Sequence, residues 1–223
     1  VLITHYDQIG GAIEQIFVGA FTGAGVAGGF IGALIQGLKR ATFSNEAGVG
    51  TSAIAHAAVK TKEPITEGFV SLLEPFIDTV IICTMTALVI TISGMNTGEL
   101  SGVNLTSAAF TETSFIFEYI LAITVVMFAF STMVSYSYYG LKAWTYLFGE
   151  SKTNEITYKV IFCLFVIVGT SISFGAVIDF SDAAMFAMSI FNIIGLYYLM
   201  PIVKKELKSF MDRVDSGEIK KYS

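Results

Sequence analysis

Five stretches of this chain, roughly 13–37, 69–94, 116–140, 157–177 and 183–202, are each long and apolar enough to cross a bilayer as helix, a crossing that takes about 20 such residues. A water-soluble core could not hide five runs of this length. The composition agrees: 54% of the 223 residues are hydrophobic and 14% charged, with a mean hydropathy of +0.70, against roughly 25% charged residues in an ordinary soluble domain. The expected fold class is an all-α membrane protein.

The basic residues order the spans. Loops that stay in the cytoplasm retain Lys and Arg. Lys39, Arg40, Lys60 and Lys62 follow the first span; Lys142, Lys152 and Lys159 follow the third; Lys204, Lys205, Lys208, Arg213, Lys220 and Lys221 follow the fifth. The opposite ends carry Asp7, Glu14, Glu99, Glu112, Glu118, Asp179 and Asp182, with no Lys or Arg. The alternation predicts five crossings, with residue 1 outside, a cytoplasmic loop over 38–68 and a cytoplasmic tail over 203–223. A Gly/Ser/Thr/Asn loop is expected near 95–115, a short link near 141–156, and a tight turn around Asp179 and Asp182. The tail is expected to be a short amphipathic or frayed helix.

Cys83 and Cys163 lie in apolar runs and are expected to behave as small buried hydrophobes. The chain opens Val-Leu-Ile-Thr, with no initiator Met and no segment of signal-peptide type, and is read as part of something longer.

Five features carry candidate chemistry. The first span holds six glycines in fourteen residues, Gly19, Gly23, Gly25, Gly28, Gly29 and Gly32. Each weakens a helix by roughly 1 kcal/mol relative to Ala. Two readings stand side by side: small-residue packing between helices, or a discontinuous helix whose freed backbone groups bind ions and substrate. Ser131, Thr132, Ser135 and Tyr136 lie at helical spacing on the third span; helix packing is the plain reading, although hydroxyl oxygens also suit a hard cation. Glu74 and Asp78 are four apart, on one helix face, and are expected to pair with polar loop groups, with Pro75 bending the helix between them. His56 has no second metal ligand at i+3 or i+4 and reads as a solvated or pocket-lining imidazole. Asn192 is polar at membrane depth and is expected to hydrogen-bond across helices.

The segments "AFTGAGVAGGFIGALIQGLKRATFSNEAGVGTSAIAHAAVK", "PITEGFVSLLEPFIDTVIICTMTALVI" and "FAFSTMVSYSYYGLKAWTYLFG" together closely resemble the alanine or glycine:cation symporter family. The run Phe43-Ser44-Asn45-Glu46-Ala47-Gly48 after a basic pair is the most specific element. The resemblance implies a LeuT-type transporter fold of two inverted five-helix repeats. This chain, as a single transmembrane domain fragment (1–223), would supply the second repeat and lack the N-terminal half. It implies a secondary symporter, not an enzyme, that moves a small neutral amino acid, alanine or glycine, by alternating access in a bacterial inner membrane. Sodium is the implied coupling ion, with no other cofactor and no nucleic-acid partner. Thr22, Gly23, Gly28, Gly29 and Phe30 become candidate substrate contacts, joined by Thr132 and by Tyr136, which stands where many members carry Trp. Ser131 and Thr132 become candidate sodium ligands. Ser44, Asn45 and Glu46 would form a hydrogen-bonded cap or gate near the inner mouth. The competing class is a structural five-span membrane subunit without transport activity.

Overall fold

The computed structural model describes residues 1–21, 29–95, 100, 102–111 and 113–219. All the regular structure among them is helical: α1 (Ile9–Phe21), α2 (Phe30–Asn45), α3 (Thr51–His56), α4 (Pro64–Ser71), α5 (Leu73–Pro75), a π-helical stretch (Phe76–Ile82), α6 (Cys83–Ile92), α7 (Gly102–Thr111), α8 (Ile116–Phe148), α9 (Lys152–Thr170) and α10 (Phe174–Asp215).

Four helices among the described residues are long and apolar enough to cross a membrane: the irregular rod Pro64–Ile92, then α8, α9 and α10. Their apolar side chains point outward. Neither α8 nor α9 has a buried residue, and Phe128, Phe165 and Phe191 are each more than two-thirds exposed. In water that surface would aggregate; in lipid it is the solvated surface. This is a multi-pass membrane protein. The first predicted span, 13–37, falls on α1 and α2 and on residues 22–28, which lie outside the described residues.

The chain divides into two compact units, residues 1–41 with 76–136, and residues 42–75 with 137–223. In the first unit α1 and α7 pack on α6, burying Ala12, Leu88, Val89 and Ala109. In the second, α4 packs on α10 with the rings of Phe69 and Phe210 at 6.3 Å. Here α8 and α9 also meet closely: a Cβ on Gly140 would collide with the Tyr158 ring, and Tyr158 lies against Trp144 at 5.9 Å.

Several sequence expectations are corrected. The turn foreseen at Asp179 and Asp182 does not form; both residues lie inside α10, and the chain turns at 171–173, where Ser173 takes an extended conformation ahead of the helix. Asp182 is buried, so a hydropathy break marked a packed carboxylate instead of a loop. The link near 141–156 is mostly the end of α8, which stops before Gly149 at φ +89°. There α9 starts early because the Ser151 hydroxyl accepts from the Asn154 amide, a standard N-cap. The 95–115 loop contains α7. The tail is not a separate short helix, since α10 runs unbroken to Asp215. Its 42 residues measure about 63 Å at 1.5 Å per residue, more than a bilayer with its headgroups, so the helix projects beyond it. Cys83 and Cys163 are exposed free thiols on outward helix faces.

Pro75 has the effect expected of it. Without its N–H, the bond back to residue 71 cannot form; the helix loses register at Leu72 and continues as a π-helical stretch from Phe76. Helical hydroxyls mostly bond back to their own backbone, as Thr86 to Ile82, Thr124 to Ile120 and Thr145 to Leu141 do, the behaviour foreseen for Ser and Thr in membranes.

Candidate functional site

In the glycine-rich stretch of the first predicted span, Thr22, Gly23 and Gly28 lie outside the described residues. Gly29 and Phe30 open α2, and the Phe30 ring meets the Phe21 ring of α1 at 5.5 Å. In one continuous helix, positions nine apart would sit about 13.5 Å apart along the axis and on opposite faces. So α1 and α2 are not successive turns of one rod.

Ser131, Thr132 and Tyr136 lie in α8 as predicted, Ser131 and Thr132 on its exposed surface and Tyr136 half-buried. They belong to the same unit as Gly29 and Phe30.

The gate residues have a definite local geometry. Ser44 and Asn45 are the last residues of α2. The Asn45 side-chain oxygen then accepts from the Ala47 amide at 3.0 Å, an Asx turn that reverses the chain. Glu46 (φ +54°), Gly48 (φ +81°) and Gly50 (φ +106°) take left-handed conformations at alternate positions. Glycine tolerates this without cost; Glu46 does not, and a non-glycine residue held there costs on the order of 1–3 kcal/mol. The sequence Glu-Ala-Gly-Val-Gly is thus read out as a tight coil that delivers Val49 and Thr51 to buried positions.

Two anchors hold this coil to α10. Asn192 donates its side-chain amide to the Gly48 carbonyl at 2.9 Å, so the hydrogen bond expected across helices goes instead to a loop. Fifteen residues later, Glu63 takes a bidentate pair from Arg213, at 2.8 and 2.5 Å. The guanidinium beside it holds the Glu63 carboxyl below its ordinary range. Asn192 and Arg213 are about 31 Å apart by helix rise, comparable to the thickness of the hydrocarbon core. The segment from Gly48 to Glu63 therefore runs along α10 instead of lying across its end. Pro64 then starts α4 at its first position, where the missing N–H costs nothing.

Between the anchors, His56 is gripped on both ring nitrogens. Nδ1 lies 2.6 Å from a Glu67 oxygen and Nε2 3.2 Å from a Glu74 oxygen. Those carboxylates raise its pKa above the ordinary histidine value. Glu74 pairs with His56, which lies at the end of α3 within the stretch expected to be a loop; His56 is not merely solvated. Sequence reasoning missed the Arg213 anchor and the His56 grip, although Glu67 and Glu74 stand seven apart, on one side of the helix start.

A model of the sodium:alanine symporter family matches residues 1–223. The chain belongs to the sodium:alanine symporter family. Among family members, it is 38% identical over 215 residues to the sodium/alanine symporter AgcS of Methanococcus maripaludis, covering 94% of this chain and 47% of that protein. It is 32% identical over 224 residues to the amino-acid carrier protein AlsT of Bacillus subtilis, covering 97% and 47%. It is 31% identical over 223 residues to a B. subtilis protein named "Probable sodium/glutamine symporter GlnT", covering 98% and 46%. The chain spans about half the length of these relatives. No group of His, Cys, Asp and Glu among the described residues could hold a resident metal ion, and the candidate sodium ligands are hydroxyls.

Proposed function

We propose that this chain is the second, five-helix half of a LeuT-type, sodium-coupled symporter that imports alanine or glycine across a bacterial inner membrane. In this reading the first of its five spans is the discontinuous pair α1 and α2, and an N-terminal half of the same protein completes the ion and substrate sites. The observation that carries the reading is the Phe21–Phe30 contact in a chain matched to the family along its whole length. A broken helix at membrane depth needs a protein-lined or water-filled cavity beside it, and its free half-helix ends suit a zwitterion.

Thr22, Gly23, Gly28, Gly29 and Phe30 contact the amino acid, with Thr132 and Tyr136 facing it from α8; the hydroxyls of Ser131 and Thr132 hold sodium. Small glycine and threonine walls leave room for a methyl side chain and little more. Sodium running down its gradient loads the site from outside, and rearrangement about it opens the inner mouth.

Ser44, Asn45 and Glu46 form the hinge of an inner gate. What supports this role is the way the coil after α2 lies along α10: irregular backbone at that depth is tenable only as a protein-packed or cavity-lining plug.

The test is uptake of labelled alanine by the complete transporter in proteoliposomes, with and without an inward sodium gradient. Gradient-dependent accumulation is expected. Equal uptake in both conditions would rule out sodium coupling, and accumulation of glutamine in place of alanine would overturn the substrate assignment.

A further inference from the structure

We propose that His56, Glu67 and Glu74 form a proton-responsive clasp that holds the segment between α3 and α4 shut when it carries a proton and frees it when the proton leaves. The inference rests on the inner-gate reading above and adds the regulation of that gate.

A proton count leads to it. Both nitrogens of one imidazole face carboxyl oxygens, at 2.6 and 3.2 Å. Ionised carboxylates only accept hydrogen bonds, and a neutral imidazole has one N–H to give. Two bonds therefore need one proton more than a neutral ring and two carboxylates provide. The cluster holds that proton, on the ring or on a carboxyl group. Glu67 from α4 and Glu74 from α5 are the charged groups that act on the ring; Lys60 and Lys62 lie in the intervening loop.

The clasp has something to hold. At six residues, α3 is far too short to be stable alone, and the stretch from Ala57 to Glu63 has no helix of its own. The His56 and Glu67 side chains are 19% and 20% exposed, whereas Glu74 is 53% exposed. The pair with Glu67 is the tighter and more enclosed contact.

The sign follows from the raised pKa of His56. A group whose pKa is raised by its folded partners lends its full contribution below the ordinary value of 6.5 and loses it as pH rises through the higher folded value. An acid interior keeps the gate closed; an alkaline one removes a hydrogen bond, leaves two carboxylates beside a neutral ring, and releases the segment. Import therefore slows as the interior acidifies.

The experiment uses the complete transporter in nanodiscs and proteoliposomes. With 15N-labelled histidine, the signal lost in His56→Gln should titrate with a midpoint above about 6.5 in the parent, and Glu67→Gln and Glu74→Gln should each lower that midpoint. With saturating external sodium, the initial alanine uptake rate should rise about fivefold as the interior goes from about pH 6 to about pH 8.5, and stay within about twofold in His56→Gln. A midpoint at or below that of free histidine, or one unmoved by both Glu→Gln changes, overturns the clasp. A raised midpoint with the same uptake profile in parent and His56→Gln overturns its control of the gate. Absence of sodium-driven uptake in every variant would refute the symporter reading instead, since the histidine titration needs no transport.

Discussion

The Asn192 side-chain amide reaches the Gly48 carbonyl at 2.9 Å, across 144 positions of sequence, and so attaches the coil after α2 to the middle of an apolar helix. The same asparagine lies directly under Gly50: a Cβ there would stand 3.2 Å from both Asn192 Cγ and Oδ1. One side chain therefore bonds the coil and sets how closely it packs.

Replacing Asn192 by Leu keeps the volume and removes the donor. The Gly48 carbonyl then loses its partner at membrane depth, a cost of about 1–3 kcal/mol. Hydrogen exchange at residues 46–51 should quicken, and alanine uptake should change while sodium dependence persists. Unchanged protection at Val49 and Thr51 would show that the bond does not hold the coil.

Gly48→Ala and Gly50→Ala should differ in a way that reports the packing. Both place a Cβ in left-handed backbone, costing on the order of 1–3 kcal/mol. Only at Gly50 does the new atom also press on Asn192, since nothing lies within 4 Å at Gly48. Thermal unfolding in detergent should rank Gly50→Ala below Gly48→Ala. In an Asn192→Ala background the gap should close, as expected of coupled neighbours.

The Glu63–Arg213 pair ties the start of α4 to the far end of α10 through two parallel bonds, the geometry a guanidinium fork favours. Arg213→Glu alone should expose the 57–63 stretch to limited proteolysis, and the exchanged pair Glu63→Arg with Arg213→Glu should restore most of the protection. The pair also has a pH signature. The Glu63 carboxyl is held below its ordinary value of 4.5, so its contribution is present above that value and is lost as pH falls through the lower folded one. Protection should thus fail on strong acidification, opposite to the direction in which His56 lets go.

Thr132→Val removes a hydroxyl at nearly constant volume. If Thr132 holds sodium, the half-saturating sodium concentration for uptake should rise about tenfold, a loss of about 1.4 kcal/mol. Maximal uptake at high sodium should fall much less. An unaltered sodium requirement in both Thr132→Val and Ser131→Ala would remove these two side chains from the ion site.

Much of the architecture was legible because a bilayer imposes a one-dimensional rule. Apolar length marks a crossing and lysine position marks a side, so the stretches 69–94 and 116–140 read as helices, and they fall within Pro64–Ile92 and Ile116–Phe148 but for the last two residues of the first. The same rule failed where polarity and chain direction part company. Asp179 and Asp182 read as a turn, yet both continue α10; at Asp182, which is buried, a packed protein environment accepts a carboxylate that lipid would not. That Glu74 would find a polar partner was also foreseen, because a carboxylate near a span end must be satisfied; that the partner would be His56, at the end of a helix, was not.

The sequence by itself determined that this chain lives in a membrane and that it belongs with sodium:alanine symporters. The first follows from apolar length and composition and the second from the run of motifs along the chain, neither of which needs knowledge of neighbours. Only the tertiary structure decided that Asn192 holds Gly48, that Arg213 holds Glu63, and that both nitrogens of His56 are taken by carboxylates. Such contacts join positions from 11 to 150 residues apart, and no local pattern encodes them. They exist because packing α4 and the 46–63 segment along α10 brings these polar groups within hydrogen-bonding reach of one another.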